Sequence, residues 1–338
     1  MAFHYSVLDL SPICEGGSAA QAFQASRELA QLAERWGYRR FWLAEHHSMR
    51  GIASAATSLV ISHVAAATHR IRVGAGGIML PNHSPLVIAE QFGTLETLYP
   101  GRIDLGLGRA PGSDQATARA LRRQGLNTAD SFPEDVAALQ AYFRGGQGPQ
   151  AVRAVPGEGL DIPIWILGSS LFGAQFAAYH GLPYSFASHF APSMINEALQ
   201  LYRQNFRPSA QCDKPTVMLG MNVFAAESEQ RAQQLFSSLQ QQFLALIRGT
   251  PGQLPPPVND MEARWSPAEK GHVERTLACS VIGDPDQVAA GIKRFIERYQ
   301  PDELMLTAQI FDLPERLRSF EIAAQACQFV GGSAVDYG

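Results

Sequence analysis

The segment Arg40-Phe41-Trp42-Leu43-Ala44-Glu45-His46-His47, RFWLAEHH, is an apolar run that stops abruptly at three ionisable side chains. A short apolar run of this kind is how a strand buried on both faces of a parallel sheet reads. Before it lies AAQAFQASRELAQLAERWGY (residues 19–38), apolar at helical spacing, with Gly37 where a helix stops. After it comes ASAATSLVISHVAAAT (53–68), a second helical stretch. Helix, strand, helix is the unit of an alternating α/β chain, and the strand presents its polar residues at its C-terminal end.

The same unit repeats outward in both directions. YSVLDL (5–10) precedes it as the first strand. IRVGAGGIM (71–79), RIDLGLG (102–108), IPIWILG (162–168), PYSFAS (183–188), PTVMLGMNVFAA (215–226) and ELMLTAQI (303–310) follow as the third to eighth. Helical segments separate them, including SPLVIAEQFGTLETLY with Ser84 as N-cap and Pro85 at the first helical position, and Glu229 to about Ile247. Asp284, Pro285 and Gln287 read as N-cap, first and third positions of another helix. The pattern loosens between Asn127 and Asp161, and the proline-rich TPGQLPPPVND (250–260) interrupts it again. Eight strands alternating with helices predict an α/β fold, a (β/α)8 TIM barrel with insertions after strands 4 and 7. A doubly wound open sheet is the competing architecture. We expect a single domain over residues 1–338, with residues 248–276 as a possible mobile lid.

Composition narrows the function classes. The chain has 338 residues, 46% hydrophobic, with a formal net charge of −4. Nothing in this balance favours nucleic acid or an anionic membrane as a partner. Cys14, Cys212, Cys279 and Cys327 form no CxxC pair, so neither a zinc ribbon nor a disulfide scaffold is expected. The first ten residues read as a strand rather than a signal peptide, and no run is long enough to span a membrane. A cytoplasmic location is the expectation.

In such a barrel the site forms at the C-terminal ends of the strands. There the chain places Ser11-Pro12, Glu45-His46-His47, Gly74-Ala75-Gly76-Gly77, Gly106-Leu107-Gly108-Arg109, Gly168-Ser169-Ser170 and Ser188-His189. GLGRAPGS falls short of a dinucleotide fingerprint, because Pro111 stands where the third glycine is needed. Arg109 is either a phosphate clamp or a surface ion-pair partner. Ser169 and Ser170 are either an ordinary N-cap or, with free helix amides, an anion site; together with Arg109 they point to a phosphate-bearing cofactor. Gly74, Gly76 and Gly77 either let a flat ring lie against backbone or serve close packing. His46 and His47 are consecutive on an extended segment and face opposite sides, so they are poor joint metal ligands, and no metal is expected. One of the two should enter the mouth as a general acid or base. His189 is a second mouth candidate, and His83 is undecided.

These motifs in this order (EHH, VGAGGIMLPNHSP, YPGRIDLGLGRA, ILGSS and GLPYSFASHF) resemble the bacterial luciferase-like flavin-dependent oxidoreductases, over most of the chain. The resemblance implies FMN bound at the strand C-termini. It gives His46 the part of the catalytic histidine and Arg109 that of the phosphate-contacting arginine. Gly168, Ser169 and Ser170 with the following amides fall at the rest of the phosphate site. Ala75, Gly76 and Gly77 fall at the strand-three bulge that cradles the ring, often through a non-proline cis peptide, and His189 falls at a position lining ring and substrate. The implied activity is an FMN-dependent monooxygenase using reduced flavin and O2, supplied by a separate flavin reductase, acting on a small molecule and assembled as a homodimer. A flavin- or deazaflavin-dependent reductase and a non-catalytic flavin-binding protein are the alternatives.

Overall fold

The computed structural model describes residues 2–110, 115–121, 131–145 and 152–337. Nine parallel strands are present among the described residues: β1 (His4–Asp9), β2 (Arg40–Leu43), β3 (Arg72–Met79), β4 (Ile103–Gly108), β5 (Ile164–Gly168), β6 (Tyr184–Phe186), β7 (Val217–Ala225), β8 (Ser280–Gly283) and β9 (Glu303–Thr307). The helices are α1 (Ala19–Arg35), α2 (Thr57–Ala65), α3 (Pro85–Leu98), α4 (Gln115–Leu121), α5 (Phe132–Arg144) and α6 (Leu171–His180). Beyond them follow α7 (Ile195–Asn205), α8 (Glu229–Ile247), α9 (Pro267–Thr276), α10 (Pro285–Tyr299) and α11 (Leu313–Phe329). Strands β1 to β6, β7 and β9 close into an eight-stranded ring through the β6–β7 and β1–β9 pairings. The fold is the expected (β/α)8 barrel.

Two elements depart from the sequence reading. Strand β8 pairs only with the upper half of β7, Asn222–Ala225, beyond the Val217–Leu219 stretch that β6 covers. It belongs with α8 and α9 to the insertion after β7, and its four residues are too few to carry a pattern. Helix α5 lies inside the region read as irregular. Its buried Phe132, Val136, Leu139 and Phe143 recur at helical spacing, with Glu134 and Asp135 in the first turn and Gly145 (φ 88°) closing it. That signal was present in the sequence; the glycine-rich stretch after it masked the helix.

Alternation along each strand decides which side chains enter the barrel. At the floor Arg40 Nε lies 2.7 Å from Glu303 Oε1 and Nη1 2.8 Å from Asp104 Oδ2, while Ser6 Oγ donates to Glu303. Burial opposes both charges, but Arg40 and Arg72 hold the Asp104 carboxyl below its usual range. The next layer is Leu8, Trp42, Trp165, Met218 and Met305, with Ala44 above Trp42. The Trp42 and Trp165 rings meet edge to face at 5.5 Å. The lumen is thus sealed below, and whatever it binds must lie above Leu10, Ala44 and Leu167.

Candidate active site

The inward series on β2 is Arg40, Trp42, Ala44, so the next residue of that parity is His46. The outward residues are Glu45 and His47, which meet each other: His47 Nε2 lies 2.8 Å from Glu45 Oε1. His83, from the turn after β3, reaches the same oxygen at 2.8 Å, and the Met79 amide donates to Glu45 Oε2 at 3.1 Å. Glu45 is 1% exposed. Burial pushes its carboxyl up, but the bonds from His83, His47 and Met79 outweigh that and hold it below the usual range. The cluster ties the end of β2 to the end of β3. Its three ligand atoms lie within 4.8 Å of one another, a grouping absent from the sequence reading. Glu45 and His47 share a face at a spacing of two, and His83 joins them only through the fold.

His46 and His189 both keep a fully enclosed Nδ1 with no hydrogen-bond partner. The His189 ring lies directly on Gly220 of β7, where any Cβ would collide with Nδ1. Its backbone carbonyl takes a bond from Asn222 Nδ2 at 2.6 Å. Burial lowers the proton affinity of His46, and burial together with His46 lowers that of His189 to about 4. Both rings are therefore neutral at neutral pH, each able to hold one proton and accept another.

On β3 the peptide Gly76–Gly77 is cis and the register against β4 shifts between Ala75 and Ile78. A Cβ on Gly76 would stand 2.9 Å from Leu8 Cδ1 and 3.0 Å from Trp42 Cε3; one on Gly77 would stand 2.7 Å from the Gly106 carbonyl oxygen. Ala75 is buried, whereas Gly76 is partly open. Backbone without side chains thus faces the mouth at β3, the surface a flat ring requires.

At β4 and β5 the arrangement changes to charge. The Arg109 guanidinium lies 4.1 Å over the ring of Phe172 in the first turn of α6 and pairs with no carboxylate among the described residues. Ser170 is the N-cap of α6, with φ −136° and ψ 171°, and its hydroxyl bonds no helix amide. Arg109 thus lies against the first turn of α6, which Ser169 and Ser170 precede, next to partly open Gly168. A helix N-terminus with an uncommitted cap and an unpaired arginine suits an anion, above all a phosphate. The mouth therefore fits a molecule with a phosphate at one end and a flat ring at the other. Pro111 lies outside the described residues.

Polar side chains at the end of β9 were not singled out in the sequence. Thr307 Oγ1 and Gln309 Oε1 are buried without a partner. The signal was legible in ELMLTAQI, where the polar residues share the parity of Glu303 and Met305.

The segment 248–266, the first part of the expected lid, folds over the loops after β1 and β2. Leu254 exchanges backbone bonds with the loop after β1, its amide to Ile13 at 2.9 Å and its carbonyl from Glu15 at 2.8 Å. The second part of the expected lid is α9, opened by a Ser266–Glu269 capping box. No helix of the described residues is long and apolar enough to cross a membrane.

The molecule is thus a (β/α)8-barrel protein whose mouth carries Arg109 and the N-terminus of α6 at β4–β5, backbone without side chains at β3 and the half-buried His46 after β2. The chain belongs to the luciferase-like monooxygenase family, whose model matches residues 2–300. It is 56% identical to the luciferase-like monooxygenase of Escherichia coli (strain K12), over 94% of this chain and 95% of that protein. It is 36% identical to the N-acetyl-S-alkylcysteine monooxygenase of Bacillus subtilis (strain 168), over 68% of this chain and 69% of that one. Among solved structures, that of apo-MsnO8 superposes with a TM-score of 0.86 at 34% identity, covering 96% of this chain and 98% of the other.

Proposed function

We propose that the chain is an FMN-dependent monooxygenase that uses reduced flavin and O2 to oxygenate a small organic substrate, with the flavin reduced elsewhere by a separate reductase. The observation that carries this reading is Arg109, which pairs with no carboxylate among the described residues, beside the uncommitted N-terminus of α6, on the same mouth as the glycine wall of β3 and inward His46. When bound, the reduced flavin supplies the electrons that activate O2.

The chain's own groups do the rest. Arg109, Gly168, Ser169, Ser170 and the α6 amides hold the phosphate. The backbone of Ala75, Gly76 and Gly77 lies against the ring, and His189 lines the pocket from the β6 side. His46 holds or moves a proton at its ring nitrogens, the catalytic part. The segment 248–276 acts as a lid, docked through Leu254, that keeps bulk water from the mouth. Two copies pair through α2 and α3, where Leu59 and Leu98 are 71% and 59% exposed.

The family description supports oxygenation over a flavin- or deazaflavin-dependent reduction on the same barrel. S-alkylated N-acetylcysteines, the substrates in the Bacillus relative's name, are the first compounds to test. Turnover under 18O2 with reduced FMN from an added reductase should place one labelled oxygen in the product. Unlabelled product formed without O2 would instead make the chain a reductase.

A further inference from the structure

The outermost residues of β9 carry a second kind of recognition that neither the phosphate pole nor His46 uses. Along this strand Leu304 and Leu306 belong to the helix-facing core, as do Ala308 and Ile310 just beyond it. Glu303 reaches Arg40 inside the barrel and Met305 packs in the lumen. Thr307 and Gln309 therefore face inward, one and two steps above Met305. Both are almost wholly enclosed, 2% and 8% exposed, yet Thr307 Oγ1 and Gln309 Oε1 have no hydrogen-bond partner. Buried polar atoms left unmade cost stability, so a fold that keeps two side by side keeps them for a partner.

Their surroundings define that partner. Asn222 of β7 stands in register with Thr307 and spends its amide nitrogen on His189 O and Ser280 Oγ. This leaves its carbonyl oxygen as another acceptor on the same wall. Asp9, the last residue of β1, has the helix-facing parity of Tyr5 and Val7, and its Oδ1 pairs with Arg316 of α11 at 2.7 Å. Beneath the polar pair the inner surface is apolar, with Leu10 and Leu167 against the Trp42 and Met305 layer. In the closed ring β9 stands opposite β4, four strands away in either direction, so the pair lies across the mouth from Arg109.

We propose that Thr307 and Gln309 form a subsite for an uncharged secondary amide group of the substrate, with an apolar substituent beside it. The amide N–H donates to Gln309 Oε1 or Thr307 Oγ1, its carbonyl accepts from the Gln309 nitrogen, and the apolar part rests on Leu10 and Leu167. A charged group in its place would be desolvated with nothing opposite it. This rests on the proposed function only in taking the cofactor's phosphate to lie at β4–β5.

The test is equilibrium binding, which needs no turnover. N-butylacetamide and butyl acetate, alike in size but differing in the N–H, are titrated by ligand-observed NMR against the full chain with and without oxidised FMN. The wild type should prefer the amide by about tenfold. In Thr307→Val and Gln309→Leu that preference should fall to about twofold or less, with FMN affinity little changed. Equal binding of amide and ester by the wild type, a measurement independent of whether the variants fold, would mean the pair holds structural water only, and would overturn the proposal. Loss of FMN affinity in the variants would overturn it too, by placing the pair against the cofactor. If the chain binds no FMN, the proposed function fails while the amide preference is still read on the chain alone.

Discussion

His46 is set apart from its neighbours by parity alone. Glu45 and His47 spend their polar atoms on each other and on His83, whereas His46 Nδ1 is enclosed and unpartnered in the lumen. His46→Asn should therefore leave FMN affinity nearly unchanged while lowering substrate-coupled oxygenation by about 100-fold, the usual scale of general acid–base help. Fluorescence titration and product yield per reduced flavin separate the two effects; a variant with full coupled yield would remove His46 from the chemistry. His189 makes a different prediction. Its folded value of about 4 lies below the ordinary 6.5 of the unfolded chain. Between those values the unfolded state binds more protons, so stability grows as pH rises and is lost as pH falls from about 6.5 toward 4. His189→Gln should flatten this part of the curve, seen as a smaller difference between urea midpoints at about pH 7 and about pH 4.5. An unchanged slope would mean that other groups set the acid limit.

Among the elements, the segment 248–266 is bonded to α8 through Pro256, Val258 and Asn259 and docks on the loop after β1 through Leu254. Gly51, after β2, faces the Gly252 carbonyl so closely that any Cβ would collide with it. Gly51→Val should push this segment off the β1 and β2 loops and expose the Leu254 amide. Hydrogen exchange should show that amide, bonded to Ile13 O at 2.9 Å, losing protection while the β1 and β2 amides keep theirs. Continued protection at Leu254 would mean the segment is held elsewhere. The same elements show how far a sequence can be read. Strands of the ring announced themselves because each is an apolar run, the first six closed by glycine, serine or histidine, and the Asp284–Gln287 capping box stands where its spacing predicted. β8 did not, because its four residues are too few to carry a pattern. The site was legible strand by strand, since parity and strand ends are local properties. The junction of Glu45, His47 and His83 was not, because it depends on a contact across 38 residues. Nor was the uncommitted state of Arg109, which follows from what surrounds it.

For the whole molecule, the floor and the mouth divide the work. The buried ions at Arg40, Asp104 and Glu303 and the tryptophan layer above them close the barrel, so the open end is free to carry unsatisfied polar groups that a packed core would not tolerate. The outer face raises its own question, since α2 and α3 expose Leu59 and Leu98. If two copies pair there, Leu59→Glu with Leu98→Glu should halve the mass seen by sedimentation while leaving the circular dichroism spectrum intact. An unchanged mass would place the contact elsewhere. The central claim, that this mouth holds a reduced phosphorylated flavin for reaction with O2, is tested most directly by anaerobic titration with reduced FMN and with reduced riboflavin, followed by rapid mixing with O2. The wild type should bind FMN more tightly than riboflavin, and Arg109→Ala should lose about tenfold in FMN affinity with riboflavin unaffected. On mixing, the absorbance of oxidised flavin should return more slowly than for free FMN. Equal affinity for FMN and riboflavin, or reoxidation at the rate of the free flavin, would contradict the account.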